Sequence, residues 1–487
     1  MIIPALEEAK KLAEGCTVVP IALEIFADQI TPIEILHNIR RQSKYCFILE
    51  SVIGGENWGR YSFLGYKPAV NIYGAGDSVT VTEGIGTTRM ESDPVAIIRD
   101  WISRYKSPRI PGLPPFTGGF AGYFSYDFAR HFIRGLELRA ANSEGFRDFH
   151  LMLIDKLIVF DHYKQKIYLI VHIPAQHIES QYIKAVTELK DMERMILAKN
   201  LSSGEEPAVC GEFSSGCTRE RFTEMVDTVK KHIVEGDIFQ AVISNRFQAP
   251  FHGSLMNAYR ILRTTNPSPY MVYMRLDDME IACSSPETLA ALRGGEVSSF
   301  PLAGTCPRGE TEEADAALTQ SLLKDEKELA EHDMLVDLAR NDLGKVSRFG
   351  SVQVREYRQV KQFSRVSHLS SRVTGRIKEG FDALDVIAAA LPAGTLSGAP
   401  KKRACEIIDE IEGVKRGVYG GAMGYIDFAG NMDMCIGIRM AVLKDENVYV
   451  QAGAGIVADS APEKEYREMR NKARAIIEAL KGSGEVQ

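Results

Sequence analysis

At 487 residues, 45% hydrophobic and 25% charged, the chain can bury a large core and exceeds the usual size of one domain. A net charge of −7 argues against a nucleic-acid or anionic-membrane surface, so an anionic ligand would need local positive charge or a metal ion. The eight cysteines form no CxxC pair and no Cys/His ligand spacing, as expected of reduced thiols in a cytoplasmic protein, and no stretch reads as a leader or a membrane span.

Residues 1–200 read as mixed strand and helix. YCFILES (45–51) is expected to be a strand, followed by a turn-rich segment. FTGGFAGYFSYDFAR (116–130) sets glycines among aromatics, a pattern for close backbone approach or a tight turn. Residues 151–173 hold two β-rich runs around a polar turn and predict a hairpin. Ile178, Tyr182, Val186 and Leu189 then recur at helical spacing. The Gly/Ser/Glu/Pro-rich segment 201–216 is the best linker, dividing the chain into residues 1–205 and 206–487.

Beyond it, Thr218 can cap a helix carrying Phe222, Val226, Val229 and Ile233 and ending at Gly236. A strand is expected over 237–247, and a turn then a strand over 266–274. Glu287 follows Ser-Pro, which by itself predicts a helix start. Residues 324–346 predict a helix with an apolar stripe through Leu329, Leu335, Leu338 and Leu343, closed by Gly344. Its acids Asp325, Glu328, Glu331 and Asp333 crowd the front half, where the helix dipole favours them. His368 falls in an expected strand (364–375), where a lone histidine is more often structural. The loop 391–400 feeds a helix with Pro400 in its first turn and suits an anion, though it is no P-loop. Gly453 and Gly455 superficially match a dinucleotide fingerprint, but SAPEKE follows instead of an apolar helix face; close approach to a bound anion is the better reading. In 462–480, Glu468 and Lys472 lie four apart on one helical face. Two helices each offering a carboxylate, Glu331 and Glu468, form a plausible cage for a hard cation such as Mg²⁺.

AEHDMLVDLARNDLG and EMRNKA, together with SSPE, PLAGT, GTLSGAPK and the aromatic-glycine run at 116–130, resemble the chorismate-utilising family, which includes anthranilate, aminodeoxychorismate, isochorismate and salicylate synthases. The likeness is strong over 206–487 and moderate over 1–200. It implies an α+β fold of large antiparallel β-sheets packed face to face with flanking helices, with an interleaved N-terminal regulatory part and a catalytic part. It further implies Mg²⁺ on Glu331 and Glu468, Glu287 as proton donor, and His368 and Thr395 in the active site. Thr395, Tyr419, Arg439, Gly453, Gly455 and Lys472 would hold the substrate. Gln240 stands where water-adding relatives carry a lysine, and a neutral amide is no base. Ala303 stands where aminodeoxychorismate synthases commonly carry a nucleophilic lysine.

Those two positions are most similar to the anthranilate synthases. The implied reaction takes chorismate and ammonia to anthranilate and pyruvate through aminodeoxyisochorismate, in tryptophan biosynthesis. Since no glutaminase segment is recognisable, a glutamine amidotransferase subunit (component II) is expected to supply the ammonia. The LES and NPSPYM elements imply a feedback pocket for L-tryptophan at Glu50, Ser51, Asn266, Pro269, Tyr270 and Met271. Two alternatives stand beside this reading: an aminodeoxychorismate synthase component I working without the lysine, and a non-catalytic ligand-sensing relative. A sensor need not keep Glu287, Glu331, His368 and Glu468.

Overall fold

The β-branched and aromatic runs pair into two antiparallel sheets, one of fourteen strands and one of twelve. The structure, a computed structural model, describes residues 1–51, 59–198, 207–309, 311–362 and 366–485. In the first sheet the path runs Val18–Phe26, Lys166–Pro174, Lys156–Asp161, Tyr61–Tyr66, Tyr45–Glu50, Tyr270–Leu276, Met279–Ser285, Met440–Lys444, Asn447–Ile456 and Gln240–His252, with short strands at its ends. The second runs Leu302–Pro307, Val366–Arg376, Glu296–Ser299, Thr288–Arg293, Met432–Ile436, Ala422–Asp427, Gly119–Phe124, Phe149–Ile154 and Val70–Ala75, then Ser78–Glu83 and Gly86–Glu91, with Gln353–Gln362 also paired to Val366–Arg376.

Both sheets draw strands from either side of residue 205. Leu49 pairs with Val272 in the first, and Ala121 with Tyr425 in the second. The N-terminal part is therefore interleaved with the rest, and residues 1–205 and 206–487 are chain segments that share their sheets. The strand Gly119–Phe124 shows why glycine is needed at such a join. A Cβ on Gly122, whose φ is +158°, would lie 1.9 Å from the carbonyl oxygen of His150.

The sheets pack face to face through an apolar layer. Phe47, Phe63, Met274 and Ile281 come from the first, and Tyr123, Met152, Met423 and Cys435 from the second. Phe116 stacks on Tyr425 with ring centroids 4.1 Å apart. Burial of such aromatic area dominates the stability of a core this size. Helices Pro32–Gln42, Ile178–Leu197, Arg219–Val234, Met256–Thr265 and Pro462–Gly482 cover the outer face of the first sheet. Pro94–Ser103, Glu326–Val346 and Ala383–Ala390 cover the second. All eight cysteines are free thiols. Among the described residues, no helix is long and apolar enough to cross a membrane.

Several local expectations are corrected. The run 151–173 is not one hairpin: Phe149–Ile154 belongs to the second sheet, and the hairpin joins Lys156–Asp161 to Lys166–Pro174 in the first. Alternation continues across Asp155, so the period alone cannot show a change of sheet. Gly344 lies inside its helix, which runs Glu326–Val346. Pro400 is the N-cap of Lys401–Glu412, outside the first turn. Ser285-Pro286-Glu287 starts no helix; it links a strand of one sheet to a strand of the other. The Thr218 cap is present, its hydroxyl accepting from the Arg221 N–H at 3.2 Å.

Candidate active site

The chain changes sheets at Pro286–Glu287 and again at Gly437–Arg439, and Glu287 and Arg439 stand at these adjacent crossings. Proline has no N–H to continue the ladder of Met279–Ser285, so the strand stops there. The Ile436 N–H donates to the Glu287 carbonyl at 3.0 Å, fixing the backbone. Burial pushes the Glu287 carboxyl up to about 7, opposed by the Thr395 hydroxyl and the Lys472 charge. Thr395 donates to Glu287 Oε1 at 3.0 Å from a short turn, Gly394–Leu396. Behind the pair lies a cavity of about 50 Å³ lined by Leu289, Leu335, Leu338, Leu343 and Ile436, the apolar wall that disfavours the carboxylate. A carboxylic acid poised near neutrality is suited to donate a proton.

Arg439 adopts a left-handed backbone, φ +51°, as the chain turns between sheets. Its carbonyl accepts from the Ser284 N–H at 3.0 Å, tying the two crossings together. Among the described residues its guanidinium has no hydrogen-bond or ion-pair partner; burial lowers its pKa, while Tyr419 and Glu468 favour the charge. A partly desolvated guanidinium without a partner is a socket for a carboxylate.

The strand Asn447–Ile456 gives the floor. A Cβ on Gly453 would lie 2.7 Å from the Ile243 carbonyl oxygen and 3.0 Å from the Tyr419 hydroxyl; one on Gly455 would lie 2.9 Å from Gln240 Nε2. Both positions must stay bare. Gln240 is buried beside them, and its Oε1 has no partner among the described residues. Lys472 donates to the Gly453 carbonyl at 3.2 Å and pairs with Glu468 at 2.8 Å, as their helical spacing predicts. One turn earlier, burial raises the Glu465 carboxyl and the charge of Glu468 adds to the rise. Glu468 is a hard oxygen donor of the kind Mg²⁺ takes.

His368 sits opposite Thr305 on its strand. Burial lowers its pKa, a hydrogen bond with the Gly304 backbone opposes this, and the Arg439 charge lowers it further, so the imidazole is neutral at neutral pH. These interactions connect Glu287, Thr395, Lys472, Gly453, Tyr419, Glu468, Arg439 and His368 into one site, with Gly455 and Gln240 alongside. Glu331 is exposed on Glu326–Val346, a helix packed on the His368 strand and on the Gly394–Leu396 turn. Its neighbour His332 points inward, hydrogen-bonded to Ser371 at 2.7 Å. Among the described residues the three-membered group of potential metal ligands is His232, Glu235 and Asp237, which includes neither Glu331 nor Glu468.

The sequence profile of the chorismate binding enzyme family matches residues 51–478. The chain belongs to that family. It is 44% identical over 496 residues to anthranilate synthase component 1 of Acetivibrio thermocellus, with 100% of each chain covered. Its structure is similar to that of anthranilate synthase component I from Streptococcus pneumoniae TIGR4, with TM-score 0.77 and 36% identity over 93% of this chain and 98% of that one. The menaquinone-specific isochorismate synthase of Escherichia coli shares the fold, with TM-score 0.71 at 18% identity over 98% and 99% of the two chains.

This chorismate-binding enzyme has a second, larger cavity of about 270 Å³ on the other side of the Glu287 crossing. Of the expected pocket residues, Glu50, Ser51, Pro269, Tyr270 and Met271 line it. Asn266 is not among the lining residues; its amide donates to Ser284 Oγ at 3.1 Å. Ser51 Oγ is buried and has no partner among the described residues, whereas Glu50 accepts from Ser62, from Tyr259 at 2.6 Å and from Arg263 at 2.5 Å. Of the turn-rich segment 54–60 that follows, residues 54–58 lie outside the described residues, while Gly59 and Arg60 line the cavity. Sequence reading missed Phe63, Tyr425 and the ion pair of Arg293 with Asp433, 2.5 Å, which also line the cavity. Nothing but an acid and a base inside otherwise apolar strands marks them in the sequence.

Proposed function

We propose that this enzyme converts chorismate and ammonia to anthranilate, pyruvate and water in the cytoplasm, as the synthase subunit partnered by a glutamine amidotransferase. The observation carrying the reading is the contact of Glu287, its carboxyl pushed up to about 7 by burial, with Thr395 and near the Lys472 charge, together with Arg439, whose guanidinium has no hydrogen-bond or ion-pair partner among the described residues. Arg439, Lys472 and the bare strand at Gly453 and Gly455 would bind the substrate carboxylates, with Tyr419 beside them. Glu287 would protonate the C4 hydroxyl as it leaves as water, Thr395 holding the carboxyl in place, while ammonia adds at C2. Neutral His368 would then take the ring proton as enolpyruvate departs and the ring aromatises. Glu331 and Glu468 would hold Mg²⁺, which when bound supplies charge neutralisation for the ring carboxylate. Gln240 offers no base to activate water, and Ala303 no amine to form a covalent adduct. The second cavity, with an ion pair, aromatic walls and a Ser51 hydroxyl that has no partner among the described residues, suits an amino acid with a large apolar side chain, which we assign as L-tryptophan acting as feedback inhibitor.

The test is fluorescence-detected turnover by the purified chain with chorismate, Mg²⁺ and ammonium. Anthranilate emission is expected, abolished by EDTA and reduced by tryptophan. Chorismate consumption without anthranilate would overturn the assignment in favour of a sibling reaction.

A further inference from the structure

The strand Gln240–His252 is short of a neighbour beside the cleft. On the edge away from Asn447–Ile456 it is paired by Gly398–Ala399, which face Ala241 and Gln240, and the Ser397 carbonyl then accepts from the Val242 N–H at 2.8 Å. There the chain leaves the edge through the turn Gly394–Leu396. Among the described residues no strand is paired with Val242 or Ser244 on this side, where an antiparallel ladder directs the Val242 carbonyl and the Ser244 N–H. An ion pair meets them instead. Arg416 Nη2 donates to the Val242 carbonyl at 2.6 Å, and Glu412 Oε1 accepts from the Ser244 N–H at 2.7 Å and from its hydroxyl at 2.9 Å. Arg416 grips Glu412 with two groups, Nε to Oε2 at 2.8 Å and Nη2 to Oε1 at 2.6 Å. The two side chains are 2% and 3% exposed.

The same guanidinium reaches the acid site. Its Nη1 donates to the Leu396 carbonyl at 2.6 Å, at the end of the turn that presents Thr395 to Glu287. Its charge lies over the ring of Tyr419, 5.8 Å from the centroid, and over that of Tyr126 at 4.5 Å. A planar fork of five N–H donors can serve a carboxylate and two carbonyls at once, which a compact ammonium cannot. We infer that Arg416 is a positioning residue of the acid site: anchored on Glu412, it stands in for the missing strand, holds the Thr395 turn against the strand of Gln240, and backs the ring of Tyr419.

This rests on the functional reading of the cleft and adds to it how Thr395 is kept in place. The turn has a second tether, the Ser397 carbonyl on Val242, so loss of the Arg416 contact should displace Thr395 without unfolding the turn. Burial raises the Glu287 carboxyl, and the Thr395 hydroxyl and the Lys472 charge oppose it. With Thr395 displaced, Glu287 should keep its proton to higher pH, and the basic limb of the pH profile should move upward. Displacement of Tyr419 should appear in KM.

The experiment compares wild type, Arg416→Lys, Glu412→Gln, Thr395→Val and the double variant Arg416→Lys/Thr395→Val, with Lys472 untouched in all. Chorismate consumption and anthranilate formation are measured against pH at constant free ammonia. Arg416→Lys keeps the charge and loses the fork. It is expected to lower kcat about tenfold, to raise KM for chorismate about threefold, and to move the basic limb upward, as Thr395→Val should. In the double variant the limb should lie where Thr395→Val alone puts it, since no hydroxyl is left to hold. A wild-type limb in Arg416→Lys, or a shift that adds in full to that of Thr395→Val, would overturn the proposal and leave Arg416 a core ion pair. Should Arg416→Lys fail to fold, Glu412→Gln, which keeps the shape and removes the charge that anchors the guanidinium, must move the limb the same way. Chorismate consumption without anthranilate would overturn the functional reading and not the positioning role, because the limb can be read from chorismate loss. Without any turnover the shift is read in urea titrations. Stability should fall as pH rises from about 4.5 until folded Glu287 has lost its proton, at about 7 in wild type and at higher pH in Arg416→Lys and Thr395→Val alike.

Discussion

The cleft around Glu287 and the cavity around Ser51 lie back to back, yet they are built from different parts of the sheets. The cleft takes its groups from places where strands stop: Glu287 and Arg439 at crossings between sheets, Thr395 in a one-turn helix, and Lys472 and Glu468 on a covering helix. The cavity is walled mainly by strands and strand ends, including Phe63, Met271, Arg293, Tyr425 and Asp433. Where ladders end, side chains can converge with unspent polar groups, as Arg439 and Gln240 do. Along a strand, a charged group is tolerated only when paired, as Arg293 is with Asp433 and Glu50 with Arg263.

The strongest way to break this contrast is Glu287→Gln. Loss of the acid should lower kcat by about 10²- to 10⁴-fold, measured as anthranilate formation, without preventing folding. In the wild type, kcat/KM at constant free ammonia should fall as pH rises through about 7, where Glu287 loses its proton, and that limb should be absent from the variant. The same group gives a stability signature. Its folded pKa lies above the ordinary 4.5, so the folded state holds more protons between about 4.5 and about 7. Stability should therefore fall across that window as pH rises, by at most about 3 kcal/mol, and Glu287→Gln should remove this slope in denaturant titrations.

Next in size is Glu50→Ala. In the cavity wall this residue looks like a ligand contact, but its carboxylate is taken up by Arg263, Tyr259 and Ser62. Leaving Arg263 partly buried without its partner should cost about 3 kcal/mol of global stability, read by urea midpoint. Ser51→Phe, by contrast, replaces a hydroxyl that has no partner among the described residues with a ring that fills the cavity, and should abolish inhibition by tryptophan; retained sensitivity would show that the effector binds elsewhere. Glu468→Gln sharpens the cleft side. It should raise the Mg²⁺ concentration needed for half-maximal turnover by about 10- to 100-fold, since a hard cation loses a charged oxygen. An unchanged requirement would place the metal elsewhere.

Much of this protein was legible in the residues themselves. Apolar alternation located several of the strands, and the 3.6-residue period located helices such as Arg219–Val234 with its Thr218 cap, because these signals depend on neighbours in sequence. The spacing of Glu468 and Lys472 gave their pairing for the same reason. The motif resemblance named the cleft residues, and hydrogen bonds or an ion pair join Glu287 to Thr395 and Lys472 to Gly453 and Glu468. What the sequence left undecided is the joining of segments far apart in the chain. Nothing local distinguishes Asp155 or Glu287 as a point where the chain leaves one sheet for the other, since a strand reads alike in either. The ion pair of Arg293 with Asp433 and the hydrogen bond from Tyr270 to Asp433 come from strands separated by many residues. Side-chain alternation is a short-range property of the backbone, whereas the choice of partner strand is fixed by packing across the whole core, and only the tertiary structure records it.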